Sequence, residues 1–296
     1  MNRRRFLTIC AGAALTPATG ARAAPRRADW HGVAMGSEAR ITLSGLDPAR
    51  AQRLFERVTQ EITRLEGLFS LHRDSALTRL NRDGRLAGPA PDLLALLAVA
   101  DRAHALTGGA FDPTIQPLWR ALAEGRDPAP ARALTGWNGV RFDRTEVRLT
   151  RPGMALSFNG IAQGYLADRI AALLRAAGLT DLLVDMGEIA AWGVRPGGGP
   201  WRAAITDPAG HVVGRASLVD TTLATSAPRG TLIGPDGNQP HILSPDGTAP
   251  RWSLIAVAAP QAALADALST GFCVMERDAI ARALAACPEA RLVQIS

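Results

Sequence analysis

Apolar side chains recur at three- and four-residue spacing along several stretches of the chain and in short unbroken runs along others. Leu54, Phe55, Val58, Ile62, Leu65 and Leu68 make one helical stripe, opened by Asp47 as a cap and Pro48 at the first position. Ahead of it, the turn-like Met35-Gly36-Ser37 leads into a short strand over residues 39–43. Residues 69–75 predict a loop whose last residue, Ser75, caps a short helix through Asn81. A further helix spans residues 92–106 and stops at Thr107-Gly108-Gly109. Residues 139–149 predict β structure, and 156–160 a strand end with a turn. A helix from residue 162 ends near Gly178, with Leu166, Ile170, Leu173 and Leu174 on one face. Residues 182–185 are a short buried strand ending in Met186-Gly187. Strands follow over 201–206, 215–219, 223–226, 240–243 and 253–259. After Pro260 a helix carries Asp266 and Thr270, another covers about 279–286, and 292–295 is a last strand. Helices and antiparallel-looking strands are mixed, not strictly alternating. The expectation is therefore an α+β fold: a single large domain of two lobes, with mixed or antiparallel sheets and flanking helices.

The start of the chain changes the charge picture. Met1-Asn2-Arg3-Arg4-Arg5-Phe6-Leu7, an apolar run to about Leu15 and Ala21-Arg22-Ala23 have the three parts of a secretory signal, and Arg-Arg-x-Phe-Leu is like a twin-arginine signal. Residues 1–23 are thus expected to be a leader, 24–296 the functional domain, and the destination the periplasm, reached as a folded protein. The net charge is +6; residues 1–23 hold Arg3, Arg4, Arg5 and Arg22 and no acid, so the remainder carries +2. That gives no argument for nucleic acid, and the apolar run is too short for a membrane span. The chain has no lysine, which excludes a lysine Schiff base and the P-loop lysine. No H-E-x-x-H or Cys cluster points to zinc, and Ser226 has no nucleophile-elbow context. Outside the leader only Cys273 and Cys287 remain, and their pairing is not deducible.

Four stretches carry candidate chemistry. Asp266 and Thr270, at i and i+4, project from one helical face and offer oxygens of the kind that Mg²⁺ takes; the alternative is a surface Asp with a Thr bonded back to its own helix. In Thr107-Gly108-Gly109-Ala110-Phe111-Asp112-Pro113-Thr114, Phe111 offers a face for a flat ring and Asp112 an acceptor for ring nitrogens or ribose hydroxyls; a helix end followed by a turn, with Phe111 in the core, is the structural alternative. In Ser157-Phe158-Asn159-Gly160-Ile161-Ala162-Gln163-Gly164, a Gly-containing turn into a helix presents backbone N–H groups to an anion or the Gly160 carbonyl to a metal, or simply connects two elements. His241, in Pro240-His241-Ile242-Leu243-Ser244-Pro245-Asp246, is either a general base or a structural histidine.

Taken in order, these stretches resemble the FAD:protein FMN transferase (ApbE) family. The landmarks are Met35-Gly36-Ser37, Phe69-Ser70 with Ser75 and Asn81, and Thr107 through Thr114. They continue with Asn159 through Tyr165 with Asp168, Trp201 through Asp207-Pro208, Ala224-Thr225-Ser226, His241-Ile242-Leu243 with Pro245, and Asp266 through Thr270. The resemblance implies an ApbE-like domain that cleaves FAD at its pyrophosphate and transfers FMN to a Ser or Thr hydroxyl of an acceptor flavoprotein, releasing AMP, with Mg²⁺. It implies Asp266, Thr270 and the Gly160 carbonyl as metal ligands and His241 as general base. It also implies an FAD site lined by Met35, Ala110, Phe111, Asp112, Ser157, Gln163 and Leu243, with His72 standing where the family often has an aromatic. Three positions depart from the family: Ser157 for a usual Asp, Gln163 for a common Lys or Glu, and Ser244 for a usual Asp. They motivate two alternatives, a periplasmic FAD-binding or flavin-delivery protein without transfer and a Mg-dependent FAD pyrophosphatase giving FMN and AMP.

Overall fold

The computed structural model describes residues 7–9 and 27–296. Of the expected leader only 7–9 fall in that range; the rest lies outside the described residues. In chain order, β1 (Leu7–Ile9), β2 (Arg27–Ala34) and β3 (Ser37–Ser44) precede α1 (Pro48–Phe69), α2 (Ala76–Asp83), β4 (Arg85–Ala87) and α3 (Pro91–Leu106). Next come α4 (Gln116–Ala123), α5 (Pro128–Arg132), β5 (Val140–Phe142), β6 (Glu146–Leu149) and α6 (Ala162–Ala176), then β7 (Leu182–Asp185), β8 (Ile189–Trp192), β9 (Trp201–Thr206), β10 (Val212–Leu218) and β11 (Thr221–Ser226). The chain closes with β12 (Leu232–Ile233), β13 (Gln239–Pro240), β14 (Ile255–Ala259), α7 (Ala262–Phe272), α8 (Arg277–Ala285) and β15 (Arg291–Ile295). This is the expected α+β domain, and every described strand pairing is antiparallel.

The frame is a seven-stranded sheet in the order β15-β14-β11-β8-β7-β3-β2. On one face the main core gathers Ile41, Leu43 and Val184 from the sheet with Leu54, Val58 and Leu65 of α1, Leu166 and Ile170 of α6, and Leu264 and Leu268 of α7. On the other face Leu183, Ile189, Leu223 and Ala256 meet Trp201, Ile205 and Leu218 in a second core, roofed by the three-stranded sheet β1-β9-β10. The central strands are thus buried on both faces, which is why Leu182-Leu183-Val184 and Ile255-Ala256-Val257-Ala258-Ala259 read as unbroken apolar runs.

Local chemistry sets the element ends. The Asp47 carboxylate accepts the Arg50 N–H at 2.9 Å and starts α1. Ser75 and Thr78 cap α2 reciprocally. β2 and β3 join through a two-residue turn, Met35-Gly36, with both residues at positive φ (50° and 77°), the backbone that matches the twist of a tight hairpin. Arg64 of α1, Asp92 of α3 and Tyr165 of α6 bond together, Tyr165 Oη and Arg64 Nη2 each reaching Asp92 at 2.7 Å, so three helices are tied at one point.

Several expectations need correction. Residues 156–160 form no strand; the backbone there pairs with the Asn81 side chain instead, Leu156 N–H to Oδ1 at 2.7 Å and Nδ2 to Leu156 O at 2.8 Å. The strand expected over 240–243 shrinks to Gln239–Pro240, and His241 follows it in a bend because its N–H goes to the Pro228 carbonyl, not to a strand. β2, α4 and β8 were not expected from the pattern. Cys273 and Cys287 are both free and buried. Among the described residues no helix is long and apolar enough to cross a membrane.

Candidate active site

The first turn of α6 is the point on which the site is built. Its entry is held from outside: Asn81 fixes Leu156, and the Ser157 N–H donates to the Pro113 carbonyl at 2.8 Å, tying this turn to the 107–114 loop. The turn and α6 then approach α7 closely at two glycines. A Cβ on Gly160 would stand 2.7 Å from Thr270 Oγ1, and one on Gly164 would stand 2.2 Å from the Ala262 carbonyl. Both positions therefore require glycine for close approach. At this contact the Gly164 N–H donates to Asp266 Oδ2 at 3.1 Å. Asp266 is 3% exposed, and its negative charge is favoured at the N-terminal end of α6. Thr270 lies 3.2 Å by its Oγ1 from Ser226 Oγ, which bonds Ser269 Oγ at 2.7 Å. The two oxygens expected on one helical face thus do face the Gly160 turn, and the surface alternative for Asp266 is excluded by its burial.

The return contact runs from α6 to α7. Asp168 accepts the Ala262 N–H at 2.8 Å and the Ala263 N–H at 2.9 Å, the first two amides of a helix whose own cap residue, Gln261, makes no side-chain bond. Burial pushes the Asp168 carboxyl up to about 6, against the two amide bonds that favour its charged form.

The residues expected to line an FAD site fall into three groups. Gln163 donates from Nε2 to Ser37 Oγ at 2.8 Å, which fastens the hairpin tip carrying Met35 to α6. Met35 is one of two non-glycine residues at positive φ among those described, and its N–H is held by Glu66 Oε1 at 2.9 Å. In the second group, Phe111 is buried in the main core, where Gly271 of α7 packs against its Cβ. Asp112 uses Oδ1 for the Thr114 N–H (2.8 Å) and hydroxyl (2.6 Å) and Oδ2 for the Trp137 N–H (3.2 Å). It braces the loop, and Ala110 is left half-buried beside it. Ser157 Oγ accepts the Asn159 N–H at 3.3 Å. The third group lies on other segments: His72 is exposed in the 70–74 segment, its N–H on Ser70 Oγ, and half-buried Leu243 follows His241.

His241 is anchored two residues beyond Ser226. Its Nδ1 lies 2.9 Å from the Pro228 carbonyl and 3.1 Å from that of Thr231. Carbonyls only accept, so Nδ1 carries the proton and Nε2 is the basic nitrogen of the neutral ring. That tautomer is the one a general base needs. Ser244, the third departure from the family pattern, donates to Asp246 Oδ1 at 2.5 Å.

Among the described residues no three His, Cys, Asp or Glu side chains cluster as a metal nest. A carboxylate, a hydroxyl and a nearby carbonyl suit a hard cation that completes its shell with water and phosphate oxygens, and do not suit zinc. Gly164, Asp168, Ser226 and Glu188, whose Oε2 accepts the Thr225 N–H at 2.9 Å, shape the site and were not singled out as site residues. Glu188 had a signal, an acid between two buried strands; Gly164 stood only as part of the Gly-containing turn, because its partner, Ala262, is about 100 residues away.

The chain is similar to proteins of known name. A protein of Salmonella typhimurium named FAD:protein FMN transferase is 29% identical over 279 residues, covering 86% of this chain and 80% of its own. One of Treponema pallidum with the same name is 30% identical over 297 residues, covering 86% and 81%. The solved flavin transferase ApbE from Vibrio cholerae superposes with a TM-score of 0.77 at 26% identity, over 88% of this chain and 91% of that one. The ApbE protein of Thermotoga maritima, at 24% identity and a TM-score of 0.79, shares the fold over 92% of this chain and 96% of its own. The ApbE family profile matches residues 35–292, a span that holds both helices of the glycine contact, the hairpin tip and His241, and the chain belongs to that family.

Proposed function

We propose that this chain is an FAD:protein FMN transferase that attaches FMN to a Ser or Thr hydroxyl of an acceptor flavoprotein and releases AMP. The observation that carries the reading is the contact of the Gly160–Gly164 turn with Asp266 and Thr270, which gathers hard oxygens and the N-terminal end of α6 where a pyrophosphate would lie. In the reaction the acceptor hydroxyl oxygen attacks the FMN-side phosphorus, the bond from that phosphorus to the AMP oxygen breaks, and AMP leaves as its phosphate. His241 takes the hydroxyl proton at Nε2, its Nδ1–H held by Pro228 and Thr231. Asp266, Thr270 and the Gly160 carbonyl would hold a divalent cation such as Mg²⁺, which supplies charge neutralisation to the phosphate oxygens. Met35, on the tip that Gln163 fastens, and Ala110, on the Asp112-braced loop, are the residues that would line the flavin. The twin-arginine-like start adds export to the periplasm, where an acceptor would be met.

The test uses FAD, Mg²⁺ and an acceptor domain with a candidate Ser/Thr motif, read by in-gel flavin fluorescence and AMP release. Wild type labels the acceptor. His241→Ala binds FAD but loses transfer by about 10²–10⁴-fold, the usual worth of a positioned base. Free FMN and AMP with no labelled acceptor would make the protein a pyrophosphatase, and intact FAD would make it a carrier.

A further inference from the structure

α6 and α7 exchange carboxylates. Asp266, on α7, accepts the Gly164 N–H in the first turn of α6; Asp168, four residues after Gly164 on α6, accepts the Ala262 and Ala263 N–H groups at the start of α7. Asp266 is itself four residues after Ala262. Each helix thus caps the other from one turn inside, around the point where Gly164 and the Ala262 carbonyl touch. We infer that Asp168 is a positioning residue for the cation pair: it sets the height and rotation of α7, and with them how Asp266 and Thr270 face Gly160.

Packing alone does not set them. Beside Leu264, Leu268 and Phe272, which pack into the core, the buried surface of α7 holds six small side chains (Ala262, Ala263, Ala265, Ala267, Ser269 and Gly271). Where those small residues meet α6 the ridges are shallow, and shallow ridges specify sliding and rotation less than large ones do. Its cap residue, Gln261, adds no side-chain bond. Two amide bonds from a single rigid carboxylate remove both freedoms, and from Ala263 to Thr270 the helix carries that constraint only about 10 Å. The burial of Asp168 speaks for positioning as well. Its carboxyl is pushed up to about 6, so its charge near neutral pH is not there for stability. Partners that orient a ligand-bearing element in this way change metal affinity by about 10–100-fold when removed.

The inference rests on reading Asp266 and Thr270 as cation ligands, and the experiment separates the two. Full-length wild type, Asp168→Asn and Asp168→Ala are titrated with Mn²⁺ in the presence of ADP, following the free-ion EPR signal, and each is melted without ligand. Asn keeps one acceptor oxygen and the side-chain shape. The expected result is that Asp168→Asn melts cooperatively at or above the wild-type midpoint but binds Mn²⁺ about tenfold or more weakly, with Asp168→Ala weaker still or unfolded. Wild-type Mn²⁺ affinity in the Asn variant overturns the inference, as does loss of cooperative melting in that variant, which would make Asp168 a structural cap alone. No Mn²⁺ binding by wild type overturns the cation reading itself.

Discussion

Met35 holds a backbone conformation that most side chains avoid. Its φ of 50° is demanded by the two-residue turn between β2 and β3, and a left-handed residue with a Cβ costs about 1–2 kcal/mol. Glycine or asparagine would fit the turn without that cost. Glu66 holds the Met35 amide and Gln163 holds the next residue but one, so the strained side chain is fixed at the rim of α6. Strain kept at such a place points to a contact with a ligand. Met35→Gly is therefore expected to raise the unfolding free energy of the ligand-free protein, read by denaturant, by up to about 1 kcal/mol while weakening FAD binding several-fold, measured by flavin fluorescence titration. Unchanged FAD affinity would leave Met35 with a turn role only. At His241 two carbonyls, of Pro228 and Thr231, select the tautomer.

At the scale of elements, α6 and α7 behave as one unit with its own pH dependence. Burial raises the Asp168 carboxyl from its ordinary 3.8 to about 6, so the folded state holds this proton more tightly than the unfolded chain does. The resulting stability is fully present below about pH 4 and lost as the pH rises through about 6, an effect of at most about 3 kcal/mol. Asp168→Asn lacks it. Lowering the pH from about 7.5 to about 4.5 should therefore shift the stability difference between the two proteins by about 2 kcal/mol in favour of wild type, read by urea denaturation. A pH-independent difference would contradict the assignment. The comparison cancels Asp92 and Glu61, which titrate the other way: burial raises Asp92, but Tyr165 and Arg64 outweigh it, and Arg64 holds Glu61 down.

What could be read from the chain beforehand divides along the same line. The caps at Asp47 and Ser75 were legible because their partners lie three residues away. The α1 stripe and the buried strands were legible because burial imposes a period or an unbroken run. β2 was not, since an edge strand alternating between exposed and half-buried positions takes its register from β3. β8 hid behind the small side chains of Ala190 and Ala191, and α4 behind Pro117 in its first turn. At 240–243 the apolar Ile242-Leu243 pair suggested a strand, but Pro228 and Thr231 claimed the backbone and ring of His241. In the site, Asp266, Thr270 and Gly160 stood out as types, whereas Asp168 and Gly164 owe their meaning to amides and carbonyls some 100 residues away.

The whole molecule is arranged so that α7 is its most enclosed helix. The seven-stranded sheet carries a core on each face, and α7 lies between the β11–β14 surface and α6, with only Thr270 of its eleven residues less than fully buried. On the far face β1 pairs with β9, from Leu7 opposite Ile205 to Ile9 opposite Ala203, which places a short piece of the expected leader along the roof sheet, away from α7. Directly after α7, Cys273 has no exposed surface; its thiol lies 3.3 Å from the Ser269 carbonyl, and burial raises its pKa far above the ordinary thiol range. A group that is neither ionised nor reachable reacts only during the moments when its surroundings part. In a Cys10→Ser, Cys287→Ser background, labelling of Cys273 by a thiol reagent is accordingly expected to report the rate at which the helix beneath the proposed phosphate site lifts from the sheet, and to slow in proportion to ligand occupancy when FAD and a divalent ion are added. Cys273 would thus time the breathing of α7 with no tag introduced into the fold.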